Sequence, residues 1–180
     1  MILTLKEDID VVKYSPDGRQ VATGSHENAI DLFDVRNKKS PYHHRKKLTG
    51  HSSSIRKLDW SADSLILQSN CGAHELLYWT LYDDDVKPRK WRPRQEKSSS
   101  KMKDTEWYTH SCIYGWFVRG VWPEGADGTD INACARSNHG ERDPVTKKLT
   151  LGLVATSDDF GKVKLFRYPC VVPNADCKPY

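Results

Sequence analysis

The sequence has no long hydrophobic run. None of its apolar stretches approaches the roughly 20 residues that a membrane-spanning helix requires, so a helical membrane span is not expected. The N-terminal Met1–Leu5 has no basic flank and is too short an apolar segment for a secretory signal. There is no Asn-X-Ser/Thr acceptor. The five cysteines (Cys71, Cys112, Cys134, Cys170 and Cys177) form an odd, scattered set without Cys-X-X-Cys spacing. They read as free buried thiols of a reducing compartment, and the cytoplasm is the expected location. Amphipathic helix signals are also missing, because no window of a dozen residues sustains apolar spacing of three and four.

The groups of a catalytic centre are equally scarce. There is no Gly-X-Ser-X-Gly elbow. No His, the His43-His44 pair included, stands at metal-ligand spacing from a Cys. Asp159-Phe160-Gly161 spells a kinase metal-binding tripeptide. It lacks the glycine-rich phosphate loop, the strand lysine and the catalytic-loop aspartate of that chemistry. Asp127 and Asp130, with Glu124 nearby, lack the ligand number and the distant bidentate Glu of a calcium loop. Asp83-Asp84-Asp85 reads as a solvated loop after a strand. No catalytic residue, cofactor or metal is expected, and the chain is read as a non-enzyme.

What is present favours an all-β protein. Six Trp, eight Tyr and four Phe among 180 residues supply a sheet-rich core. The net charge of +4 is uneven. Residues 87–103 carry eight Lys and Arg against Glu96, a local +7 that leaves the remainder at −3. Lys87, Arg89, Lys90, Arg92 and Arg94 lie around Trp91 in this stretch. With its prolines and serines it is expected to be a solvated, flexible insert. As a binding loop, it would suit an acidic protein surface ahead of nucleic acid.

The sequence repeats itself. Ile9-Asp-Val-Val-Lys-Tyr14-Ser-Pro-Asp-Gly18 matches Ile55-Arg-Lys-Leu-Asp-Trp60-Ser-Ala-Asp-Ser64 at a shift of 46 residues. The register continues: Val21 falls on Leu67, Thr23 on Ser69, Ile30 on Leu76 and Phe33 on Trp79. A third copy follows as Asp130–Cys134, Val154-Ala-Thr156 and Val163–Phe166, with an insertion of 11 residues between Arg136 and Lys148. Each unit reads as short strands separated by turns, with Pro16 and Gly18 where a turn needs fixed and positive φ. Strands this short bury a core only when such units stack as blades around an axis. Val12, Phe33, Leu58, Trp60 and Trp79 are expected between blades, and Asp31, Arg56 and Asp59 at the rim.

These units resemble WD repeats. Gly50-His51 opens a repeat and Tyr78-Trp79-Thr80 closes it. The resemblance implies a hydrogen-bonded network of His51, Ser69 and Trp79. Ala73 stands where that network would have its acid, so it is expected to be incomplete. The string Trp122-Pro123-Glu124-Gly125-Ala126-Asp127-Gly128-Thr129-Asp130-Ile131-Asn132 goes further. Together with Thr49-Gly50-His51, Leu77-Tyr-Trp79 and Lys164-Leu-Phe-Arg-Tyr-Pro-Cys170, it is similar to the echinoderm microtubule-associated protein-like family.

The resemblance implies a partial WD-repeat β-propeller of about three to four blades, an open arc. The expected divisions are blades at 1–48, 49–86 and 130–170, the basic insert at 87–103, an irregular segment at 104–129, and a further blade beginning at 171–180. An isolated arc is expected to self-associate through its open ends. The resemblance also implies tubulin or microtubules as partner and a place in the cytoskeleton, with a scaffold for other proteins as the alternative. Trp122 is expected to be buried beside the strand at Ile131, with Gly125 and Gly128 in turns.

Overall fold

The computed structural model describes residues 3–83, 87–137, 141–142, 144–145 and 149–177. They form three four-stranded antiparallel sheets, a partial β-propeller. No helix among them is long and apolar enough to cross a membrane.

The first blade is β1 (Ile9–Tyr14), β2 (Gln20–Ser25), β3 (Ala29–Asp34) and β4 (His43–Thr49), in that spatial order. The second is β5 (Ile55–Trp60), β6 (Ile66–Cys71), β7 (Leu76–Asp83) and β8 (Lys90–Glu96). The repeat in sequence is a repeat in geometry. Tyr14 pairs with Val21 as Trp60 pairs with Leu67, and both first strands carry a bulge one residue in. The turns match as well. Ser15 Oγ donates to Asp17 Oδ1 and Ser61 Oγ to Asp63 Oδ1, each at 2.6 Å. Gly18 has φ 66° and its counterpart Ser64 has φ 62°.

One core joins these two blades: Ala22, Ile30 and Leu32 meet Ile55, Leu58, Trp60, Leu67 and Trp79. The approach is close at Gly24, where a Cβ would lie 2.5 Å from Ile55 and 2.7 Å from Val11. Trp60 Nε1–H donates to Lys13 O at 3.2 Å across the same interface.

The third blade consists of β9 (Ile131–Arg136), β10 (Glu141–Arg142), β11 (Leu149–Asp158) and β12 (Val163–Tyr168). Both β9 and β10 pair with β11, at different parts of its length. The insertion inferred between Arg136 and Lys148 falls largely outside the described residues. Residues 104–122 lie between the second and third blades. Tyr108 N–H donates to Trp60 O at 2.8 Å, and Ser61 bridges Trp107. Trp107 is buried and stacks on Tyr78. A 3-10 turn at Trp116–Val121 then packs Val118 and Val121 against Ile131, Val154 and Phe166.

Three expectations need correction. Residues 87–103 are not a flexible insert, because β8 is the fourth strand of the second blade and Ser99–Met102 forms a 3-10 turn. Trp91 anchors β8 against the core, and Pro93 is tolerated on an edge strand beside a register shift. Val12 is 59% exposed rather than buried between blades, since no blade covers that face of β1 among the described residues. Asp31 and Asp59 are buried, not at the rim. His44 Nε2 lies 2.7 Å from Asp31 Oδ1, and Asp59 collects the donors of residues 109–112.

Candidate partner-binding site

The residues 107–112 tie between blades centres on Asp59, which is fully buried. It accepts from Gln68 Nε2 (3.1 Å), Thr109 Oγ1 (2.7 Å), Ser111 N (2.8 Å), Ser111 Oγ (3.0 Å) and Cys112 N (2.9 Å). Burial works to raise its carboxyl, but the nearby His110 ring and these donors outweigh it and hold the group below the usual carboxylate range. His110 is itself buried, with Nδ1 3.2 Å from the Tyr168 hydroxyl. Burial pushes its pKa down to about 4.

The structure brings His51, Ser69 and Trp79 together. Trp79 Nε1–H donates to Ser69 Oγ at 2.9 Å, and His51 Nε2 lies 2.7 Å from the same oxygen. The network is not incomplete. Glu75 supplies the acid, with Oε2 3.2 Å from His51 Nδ1. The turn between β6 and β7 delivers this carboxylate two residues after Ala73, a displacement that the repeat register does not disclose. Ser52 donates to it from both Oγ (2.5 Å) and N (2.8 Å). Those two bonds are the main cause of a pKa lowered to about 2. Burial lowers that of His51 and outweighs the Glu75 contact, so the ring is neutral at neutral pH.

The Trp122–Asn132 string is a set of turns that runs into the first two residues of β9. Trp122 is half-buried rather than buried. Its ring stacks on Tyr114 at 5.5 Å, and its Nε1–H donates to Ile113 O at 3.0 Å. Gly125 and Gly128 have φ of 79° and 86°, as turns demand. Pro123 is exposed. Asp127 Oδ1 accepts from both Thr129 N and Thr129 Oγ1, which with other local donors lowers its pKa. Asp130 O accepts from Asp159 N, joining the string to the turn before β12. These residues shape the approach to β9. They do not converge on one ligand position.

A basic surface spans two blades. β4 and β8 are the outer strands of adjacent blades and touch each other. Arg45 lies 3.7 Å over the Trp91 ring, and Trp91 Nε1–H donates to Gln20 Oε1 at 3.3 Å. Lys87, Arg89, Lys90, Arg92 and Arg94 are exposed along or just before β8, and His43 and Lys46 along β4. Arg92 and Arg94 both face Asp83, at 3.4 and 3.7 Å. The sequence shows the β8 cations but not their continuation onto β4, 46 residues earlier, which only blade stacking reveals.

Repeated blades, this network and the shared interblade core define a β-propeller of the WD-repeat class. Comparison with known proteins narrows the class. The family model described as the echinoderm microtubule-associated protein second beta-propeller matches residues 2–180. The 77 kDa echinoderm microtubule-associated protein of Lytechinus variegatus is 42% identical over 175 residues, 97% of this chain and 23% of that protein. Echinoderm microtubule-associated protein-like 2 of Mus musculus is 43% identical over 94% of the chain and 23% of its own length. Echinoderm microtubule-associated protein-like 1 of Homo sapiens is 44% identical over 91% and 18%. The chain belongs to the echinoderm microtubule-associated protein family and corresponds to part of its second propeller. It spans about a fifth of the length of these relatives.

Proposed function

We propose that this chain is a non-catalytic binding surface for tubulin or microtubules, acting in the cytoplasm as part of the cytoskeleton. The observation that carries the reading is the basic edge that runs over two blades on β4 and β8. Two outer strands held side by side by the Arg45–Trp91 contact present cations on a rigid support. Such a surface suits an acidic polymer, and its attraction is screened as salt rises. The names of the relatives support microtubules over other partners. The test is co-sedimentation with polymerised tubulin across a salt series. Enrichment in the pellet at low salt that fades as salt rises agrees with the proposal. Absence of enrichment at low salt refutes it and leaves a scaffold for other proteins as the reading.

A further inference from the structure

The network beneath Ser52 contains more than a blade-stapling hydrogen bond. Cys71, the last residue of β6, and Glu75, just before β7, flank one tight turn. His74 N–H donates to Cys71 O, and Gly72 N–H donates to Ser54 O in the loop that carries His51. That folding brings three metal-ligating atoms into one place. Cys71 Sγ is 3.1 Å from Glu75 Oε2, and His51 Nδ1 is 3.2 Å from the same oxygen. All three ligand atoms lie within 4.8 Å of one another. The sequence concealed this trio, because 20 residues separate His51 from Cys71.

We propose that His51, Cys71 and Glu75 form a zinc site, with the fourth position open to water. Zinc–ligand bonds of about 2.0–2.3 Å place tetrahedral neighbours about 3.3–3.6 Å apart. The observed separations from Glu75 Oε2 reach that range with shifts of a few tenths of an ångström. A soft thiolate, an imidazole and a carboxylate are the ligand types zinc accepts, whereas calcium and magnesium require an oxygen set. The supporting contacts are already present. Ser52 fixes the carboxylate through Oγ and N, and Ser69 faces the far nitrogen of the His51 ring. Glu75 is one-third exposed, which leaves a path from solvent.

The protons and charges balance. Without metal, the Cys71 thiol donates to Glu75, the His51 Nδ1–H donates to the same carboxylate, and Ser69 donates to Nε2. With zinc, the thiol proton leaves to solvent. The ring proton shifts to Nε2 and is donated to Ser69 Oγ, whose hydroxyl turns to Leu77 O, 3.5 Å away. Trp79 keeps its bond to Ser69 Oγ. One thiolate and one carboxylate neutralise the dication: two positive charges enter and one proton leaves, so the site passes from the single negative charge of Glu75 to neutral. Among the described residues this trio occurs in the second blade alone. The position equivalent to Cys71 is Ser25 in the first blade and Asp158 in the third.

The experiment titrates the metal-free full chain with Co²⁺ alone and records its absorption, then adds Zn²⁺. A thiolate-to-cobalt charge-transfer band with tetrahedral visible bands, displaced by Zn²⁺, is the expected result. The band should vanish in Cys71→Ser and survive in Cys177→Ser, whose thiol is exposed. Should Cys71→Ser not fold, alkylation of the unaltered chain with N-ethylmaleimide, mapped by peptide mass spectrometry, decides. Zinc should slow labelling of Cys71 at least tenfold while leaving Cys177 unprotected. A chain without the charge-transfer band, a band that persists in folded Cys71→Ser, or equal labelling of Cys71 with and without zinc overturns the proposal.

Discussion

Asp59→Ala removes the acceptor that joins the second blade to residues 109–112. The structure sets the size of the effect. Asp59 is fully buried, and its loss strands two backbone N–H groups (Ser111 and Cys112), two hydroxyls (Thr109 and Ser111) and the Gln68 amide. Each stranded buried donor costs about 1–3 kcal/mol. The hydroxyls can rotate to other partners, whereas the two amides cannot. The two stranded amides together give about 4 kcal/mol. Asp59→Asn keeps one accepting oxygen but turns an NH₂ towards donors, and should cost about half as much. Urea denaturation followed by tryptophan fluorescence measures both, with Trp60 and Trp107 as reporters at this interface. An Asp59→Ala midpoint equivalent to less than about 1 kcal/mol of destabilisation would show that residues 109–112 do not hold the blades together.

Other outcomes follow from the same geometry. Lowering the pH from 6.5 towards 4 should destabilise the chain by about 3 kcal/mol through His110, because the unfolded ring takes a proton that the buried ring, with a pKa of about 4, refuses. Below pH 4 a further loss should follow as Asp59, held below its ordinary value in the fold, is protonated. Urea midpoints across this range check the sign, and His110→Gln should flatten the upper part of the curve. Gly24→Ala should cost about 2–3 kcal/mol in the same assay, since its Cβ would overlap Ile55 and Val11. Trp122→Ala should cost about 2 kcal/mol, below the 3–5 of a fully buried ring, because it loses the Tyr114 stack and one hydrogen bond from a half-buried position.

The blades were legible because their signal is redundant. Strand alternation, the Ser-X-Asp turn and aromatic register all repeat at one shift, and the structure reproduces that shift in the pairings of β1–β2 and β5–β6. β8 was not legible, since its cations and Pro93 read as loop chemistry. An outer strand can keep such cations in solvent while Trp91 packs against the core. Asp59 was misplaced for a related reason. Strand alternation predicts a side, but it does not predict that a segment 50 residues later covers that side with donors. Glu75 was missed because a turn, not a strand register, decides where its carboxylate points. The basic edge was half visible, as the β8 cations alone.

The basic edge is the surface proposed to contact microtubules. The direct measurement is a microtubule-binding isotherm of the unaltered chain beside a variant with Lys87, Arg89, Lys90 and Arg92 each changed to Glu. Circular dichroism and urea midpoints first establish that the variant is folded. None of the four side chains lies in the buried core, so folding is expected to persist. Affinity should fall at least tenfold, and the salt dependence of binding should weaken with it. An isotherm unchanged by the reversal of four charges would contradict that contact.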